Sequence, residues 1–215
     1  MREITQEFLS DIIDLYRRTP VLAFLYFCNG SDMEKCVLDC GAGAKVPPLA
    51  LFHMHGYRTY GIDISEEKIA MAREFEERHE IMLNVEKGDM RKVEFPDGHF
   101  SFAYSYNTIF HMKKEEVYCS IGEMARVLRP GGMMFFNLLS NDDGGYGKGN
   151  EIGEGEFEEV YDGESVIHSY FGDEEADGHL AGLHMIAKQK RTGRLMENGR
   201  ETNYAFIDYF LQKYR

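Results

Sequence analysis

Between residues 36 and 139 the chain alternates five times between a short apolar run and a helical or turn segment, and that alternation constrains the fold more than any other feature. The runs are Cys36–Cys40, Thr59–Asp63, Met82–Glu86, Phe100–Tyr106 and Met133–Leu139. Short apolar stretches closed by turns are what strands buried on both faces require. Residues 46–55, 65–79 and 113–128 carry the intervening helical patterns, and Ser65-Glu66-Glu67-Lys68 offers an N-cap with acids in the first turn. Pro96-Asp97-Gly98 and Arg129-Pro130-Gly131-Gly132 punctuate the later strands. Strands that alternate with helices predict an α/β fold with a parallel sheet covered on both faces.

The flanks read differently. Ile4, Phe8, Ile12 and Leu15 recur at helical spacing and predict an amphipathic helix over 3–17. Thr19-Pro20 ends it, and the apolar run 21–28 reads as a second short helix. Residues 141–180 hold 13 acids, 9 glycines, one lysine and no arginine. This segment is either a disordered loop or an acidic cap over the sheet edge; Phe157, Val160, Tyr161, Val166, Ile167, Tyr170 and Phe171 argue against full disorder. Asp162-Gly163 between two β-prone runs is a hairpin signal. Residues 184–191 and 204–213 read as a closing pair of strands joined near Glu197-Asn198-Gly199.

Composition limits the function. The 215 residues carry 24 Lys+Arg against 37 Asp+Glu, a net charge of -13, so the chain lacks the clustered cations that nucleic-acid phosphates need. No apolar stretch approaches the roughly 18 residues of a membrane span. Met1-Arg2-Glu3-Ile4 shows no signal-peptide pattern, and Cys28, Cys36, Cys40 and Cys119 form no Cys-x-x-Cys pair. The expectation is a cytoplasmic protein with four buried free thiols and no metal site; the histidines show no zinc-ligand spacing.

The chemistry concentrates at strand ends. Asp39-Cys40-Gly41-Ala42-Gly43 closes the first strand. Its glycines admit a ligand close to the backbone, and the next helix start offers free N–H groups. Asp39 repels phosphate but can pair with an amine, so a zwitterionic amino-acid moiety suits this loop better than a pyrophosphate. Asp63 lies 20 residues beyond Gly43, the placement of a carboxylate that accepts from a ribose diol. Asp89, in Gly88-Asp89-Met90, could accept from an adenine amine, with Met90 and Ile64 against the ring faces.

These four elements, Asp39-Cys40-Gly41-Ala42-Gly43, Gly61-Ile62-Asp63, Gly88-Asp89-Met90 and Leu128-Arg129-Pro130-Gly131-Gly132, resemble in order and spacing the class I S-adenosylmethionine-dependent methyltransferases. The resemblance covers about residues 35–140 plus the closing strands. It implies a Rossmann-like, seven-stranded, mostly parallel sheet whose last strand is antiparallel. It implies S-adenosylmethionine as cofactor, its methionine portion on Asp39, Cys40, Gly41, Ala42 and Gly43. Asp63 would take the ribose, Asp89 the adenine amine, and the backbone near Tyr106 the ammonium. Ala44 replaces the third glycine of many members. Pro47-Pro48 remove two donors, so the cofactor carboxylate would rely on Ala44, Lys45, Arg17 or Arg18. The resemblance divides a single domain into an N-terminal helical lid (1–32), a cofactor-binding core (33–140), a cap (141–180) and closing strands (181–215).

The fourth strand is followed by Ser105-Tyr106-Asn107-Thr108, not by the Asn/Asp-Pro-Pro-aromatic pattern of enzymes that methylate planar amide or base nitrogens. With the acidic balance this points to a small-molecule acceptor. Tyr16, Tyr26, His111, Tyr146 and Tyr170 are the candidate acceptor-pocket residues. His168 is the candidate base, because imidazole titrates near neutrality; a structural histidine is the alternative. At the level of the whole chain the alternatives are a non-catalytic S-adenosylmethionine-binding regulatory module and methylation of a basic peptide.

Overall fold

The computed structural model describes residues 19–161, 163–197 and 200–215. The elements run α1 (Thr19–Asn29), β1 (Cys36–Cys40), α2 (Leu49–Met54), β2 (Arg58–Asp63), α3 (Glu66–His79), β3 (Val85–Lys87), β4 (Phe100–Ser105), α4 (Lys114–Val127), β5 (Leu128–Ser140), β6 (Asn150–Gly153), β7 (Glu156–Tyr161), β8 (Glu164–Phe171), a short 3-10 turn (Asp177–His179), β9 (Leu183–Glu197) and β10 (Arg200–Lys213). The helix expected over 3–17 lies outside the described residues.

Side-chain alternation along the strands builds two cores. On one face Val37, Phe102, Tyr104, Phe135 and Phe210 pack with Phe24 of α1, Phe52 of α2 and Phe75 of α3. On the other, Leu38, Ala103, Met134, Phe136 and Tyr209 pack with Val117, Ile121 and Met124 of α4. α3 presents Ile69, Ala72 and Phe75 inward, and the Ser65 hydroxyl caps it by accepting from the Lys68 N–H. The sheet is therefore covered on both sides, as the apolar runs require.

The expected seven strands are present in the order β3-β2-β1-β4-β5-β10-β9, with β10 antiparallel to both neighbours. Among the described residues the strand count is nevertheless ten, because the acidic segment is an ordered three-stranded meander that joins the sheet. β8 pairs parallel with the end of β5 through Leu139–Tyr170 and Ser140–Phe171. Leu139 also pairs with Phe206 of β10, so β8 occupies the β4 side of β5, beyond the point where β4 stops.

Boundaries moved where local bonding competed with extension. The third strand begins at Val85, not Met82. Asn84 has φ 58°, and the Glu76 carboxylate accepts from the Leu83 and Asn84 N–H groups, which bends the chain before it can pair. The helix expected over 46–55 starts at Leu49 because Pro47 and Pro48 precede it. Arg129-Pro130-Gly131-Gly132 belongs to β5, with a register shift opposite Phe100 and Phe102. Cys28, Cys36 and Cys40 are buried free thiols; Cys119, expected to be buried, is exposed on α4 because it falls outside the inward stripe of that helix. Among the described residues no helix is long and apolar enough to cross a membrane.

The meander is clamped beside the loop that follows β4. Ser169 of β8 donates its N–H to Phe110 O at 2.9 Å and its hydroxyl to Met112 O at 2.6 Å. Lys114, at the start of α4, donates its N–H to Glu156 and its Nζ to Glu175, both at 2.6 Å, and lies over the Phe171 ring. Residues more than forty positions apart are thereby held together at the carboxyl ends of the strands.

Candidate active site

Ligands of open α/β sheets bind at the carboxyl ends of the strands, where successive loops diverge. There a cavity of about 490 Å³ is bounded by the ends of β1 to β4 and by β8. This is within the roughly 300–1,000 Å³ of small-ligand sites. Gly41, Asp63, Ile64, Asp89, Met90, His111 and His168 all line it. The expected nucleoside-side residues and the candidate base therefore share one space.

Asp63 organises its floor. Oδ2 accepts from the Gly43 N–H and Oδ1 from the Ser65 N–H, each at 2.9 Å. One carboxylate, 6% exposed, thus ties the glycine turn after β1 to the start of α3. A carboxylate has about four acceptor positions, so two remain for a ligand. A side chain at Gly43 would collide with Asp63 and Lys68, and Gly41 has φ 98° with Thr108 directly over it. Both positions require glycine for space, and Gly41 requires it for its backbone as well.

Asp89 borders the same cavity, but its carboxylate is engaged. Arg91 binds it through its backbone N–H, Nε and Nη2, and also pairs with Glu116. That guanidinium holds the Asp89 carboxyl below its usual range. Ile64 is 62% exposed on the lip of the cavity, whereas Met90 is buried in its wall. Asp39, Cys40, Ala42, Gly43 and Tyr106 do not line the cavity; Asp39, Cys40 and Ala42 are buried beneath it, and Tyr106 turns toward Phe135.

A second cavity of about 360 Å³ adjoins the first, and His111 and His168 line both. Their rings meet edge to face with centroids 4.8 Å apart. His111 is fixed to the backbone of Ile167, and His168 Nδ1 lies 3.4 Å from Glu159 Oε1. Tyr170 lines the second cavity and is 2% exposed. Tyr146 packs edgewise on Phe157 and Tyr170 and lines neither cavity. Tyr26 is 76% exposed and also lines neither, because the inward stripe of α1 is Val21, Phe24, Leu25 and Cys28. Tyr16, Arg17 and Arg18 lie outside the described residues.

Both imidazoles are held toward the neutral form. Crowding by neighbouring atoms lowers the pKa of His111 to about 4, with His168 and Lys68 adding repulsion. His168 is lowered by the same loss of water, against the opposing pull of Glu159 and Asp143. An unfolded histidine titrates near 6.5, so the unfolded chain takes up these protons first as the pH falls. Stability is therefore expected to drop between about pH 6.5 and 4. A His111→Asn variant should show a shallower fall in thermal midpoint over that window; equal slopes would show that His111 ionises freely in the folded protein.

Several contributors were not singled out from the sequence. Arg91, Thr108, Glu159 and Asp143 carry no motif, and Asn137 looks like one polar interruption in an apolar strand. Asn137 is buried, accepts the Asn107 N–H at 2.8 Å and donates to Asn107 Oδ1 at 2.7 Å, which holds Asn107 at φ 54°. A buried amide in a β-strand was the only available signal.

Comparison with known proteins agrees with this geometry. Residues 38–136 match the family described as a methyltransferase domain. Over 112 residues the chain is 28% identical to sterol 24-C-methyltransferase of Saccharomyces cerevisiae, which covers 51% of this chain and 28% of that protein. The chain spans well under two thirds of the curated relatives it matches. A structure from Methanosarcina mazei described as an S-adenosylmethionine-dependent methyltransferase superposes with a TM-score of 0.69 at 22% identity, covering 88% of this chain and 97% of that one. The 1,6-didemethyltoxoflavin-N1-methyltransferase of Burkholderia thailandensis, solved with 1,6-didemethyltoxoflavin and S-adenosylhomocysteine, superposes with a TM-score of 0.60 at 18% identity, covering 91% of this chain and 77% of that one.

Proposed function

We propose that the chain is a class I S-adenosylmethionine-dependent methyltransferase that methylates a small-molecule acceptor from S-adenosylmethionine seated in the first cavity, a reading supported by the methyltransferase-domain match and the shared fold. The observation that carries this reading is the Asp63 carboxylate, held between Gly43 and Ser65 with acceptor positions to spare for a ribose diol. Bound there, S-adenosylmethionine supplies an electrophilic methyl group on a sulfonium.

The chain's own residues supply place and shape. Asp63 holds the sugar, and Ile64 and Met90 flank the base. Asp89, already bound to Arg91, acts more through fixing the loop after β3 than as an open acceptor. Gly41 lines the cavity and meets the amino-acid end, while Cys40, Ala42 and Gly43 shape the turn behind it. His168 is the base for a protic acceptor, and His111 and Tyr170 shape the acceptor side. Methyl transfer needs alignment and exclusion of water more than activation, and the clamped meander of β6 to β8 provides both. The acceptors named for two relatives, a sterol and 1,6-didemethyltoxoflavin, support a small-molecule acceptor.

Calorimetric titration tests the reading. S-adenosylhomocysteine is expected to bind the purified protein with a dissociation constant in the micromolar range, roughly -8 kcal/mol, and NAD to leave no signal. Tight NAD binding, or no response to the nucleoside, would reject it.

A further inference from the structure

We propose that the second cavity is the acceptor chamber, and that it takes an uncharged, ring-sized molecule whose O–H or N–H proton passes to His168, with Glu159 as the positioning residue behind that imidazole. The inference rests on the methyl-transfer reading above and adds the acceptor class and the proton's route.

The position of the chamber carries the first part. It shares His111 and His168 with the first cavity, so anything lodged in it meets that cavity across two imidazole rings. Phe110, Leu139, Tyr170 and Phe206 form the apolar part of its wall, beside the polar Asn107, Asp143, Lys148 and Glu159. Phe110 and Leu139 are buried, and Phe206 is fixed from behind by the Arg191 guanidinium, 4.9 Å from its centroid. A volume of about 360 Å³ bounded by aromatic faces suits one or two rings.

Charge carries the second part. Two carboxylates, Asp143 and Glu159, face the chamber with one cation, Lys148. Asp143 accepts from the Gly145 and Ala205 N–H groups, each at 2.8 Å, which keeps its charge in place. An anionic acceptor would meet both carboxylates beside the imidazoles. A neutral one would not.

Geometry gives the proton's route. His168 Nδ1 faces Glu159 at 3.4 Å, so Nδ1 carries the hydrogen and Nε2, on the other side of the ring, takes the proton. The acceptor's O–H or N–H bond breaks toward Nε2 and its electron pair stays on the acceptor atom. That pair forms the bond to the methyl carbon as the carbon–sulfur bond breaks with its pair left on sulfur. Glu159 steadies the imidazolium as it forms. The neutral resting state of both histidines leaves them able to accept.

The test uses the full chain saturated with S-adenosylhomocysteine at about pH 6, where 4-nitrophenol is uncharged and serves as the neutral probe while benzoate is the anionic one, both by calorimetry. 4-Nitrophenol is expected to bind, benzoate about tenfold or more weakly. Phe206→Trp should weaken 4-nitrophenol about tenfold while leaving S-adenosylhomocysteine affinity within about twofold. Imidazole nitrogen resonances give a readout that needs no variant: 4-nitrophenol should shift His168 and His111 together. In Glu159→Gln the titration midpoint of His168 should move down, because the raising carboxylate is gone while Asp143, His111, Lys148 and Lys68 remain around it. Failure of S-adenosylhomocysteine to bind at all would remove the methyl-transfer reading. Binding of that nucleoside with competing 4-nitrophenol, with unshifted histidines, with benzoate preferred, or with an unchanged His168 midpoint in Glu159→Gln would overturn this inference alone.

Discussion

An Asp63→Ala variant is expected to bind S-adenosylhomocysteine at least about 100-fold more weakly than the wild type, a loss of roughly 2.7 kcal/mol. Two effects add. The variant loses the acceptor for the ribose hydroxyls, and hydrogen bonds to a charged carboxylate are about twice as strong as neutral ones. It also releases the Gly43 and Ser65 N–H groups, each now bonded at 2.9 Å, so the turn after β1 and the start of α3 lose their common anchor. Asp63→Asn should recover little, because an amide presents N–H where one of those two N–H groups needs an acceptor. Stability should fall by only about 1–2 kcal/mol, since the released donors lie at the edge of a cavity that water can enter. Calorimetric titration beside urea unfolding separates the two quantities. An affinity within about threefold of the wild type would mean that the ribose is held elsewhere.

Arg191→Met is expected to destabilise the fold by about 3 kcal/mol while leaving the first cavity intact. Asp208 of β10 is fully buried, and Arg191 of β9 donates Nε to its Oδ2 at 3.0 Å and Nη2 to its Oδ1 at 3.2 Å. Gln189 adds one further bond, from Nε2 at 3.1 Å. Methionine keeps most of the apolar stem but leaves a buried carboxylate without its cation. Removing one partner of a buried pair costs roughly 3–5 kcal/mol, and the lower end applies because the Arg191 side chain is 24% exposed and water can follow it in. For a chain of this length that is a fall in thermal midpoint of roughly 6–12 °C. The double variant Arg191→Met, Asp208→Asn should regain a large part of the loss. A single-variant loss below about 1 kcal/mol would show that Asp208 is neutral or hydrated in the folded protein.

These two positions differ in how far the linear chain discloses them. Asp63 is legible: an acid that ends a five-residue apolar run, 20 residues after Gly43, has few roles open to it. The same holds for Ser65 at its helix start and for the closing pair of strands expected on either side of Glu197-Asn198-Gly199, which pair as β9 and β10. Arg191 is not legible, because it is one of several cations in the polar run Lys188-Gln189-Lys190-Arg191-Thr192-Gly193-Arg194, and only its pairing with β10 reveals a buried partner.

Asp89 and Tyr26 show the same limit from the other side. Asp89 has the expected place in the chain, but Arg91, two residues on, claims its carboxylate. Tyr26 was a candidate from its aromatic ring alone, yet the rotation of α1 turns it to solvent. Motif spacing reports where a residue's backbone stands. It does not report which neighbour reaches the side chain first.

Local periodicity dictated the element types, the two-faced parallel sheet and the residues at its strand ends, because alternation, caps and turns are properties of a few consecutive residues. The second cavity was decided only in three dimensions. His111, His168 and Glu159 meet because Ser169 bonds to Phe110 and Met112 and because β7 and β8 pair with Glu159 opposite Val166. A shift of one residue in that pairing would turn the side chains to the other face and take the imidazole from the carboxylate. The Asp162-Gly163 hairpin signal is local and points to the β7–β8 register; what no short stretch of this acidic, glycine-rich segment encodes is the docking of β8 against Phe110, Met112 and the end of β5.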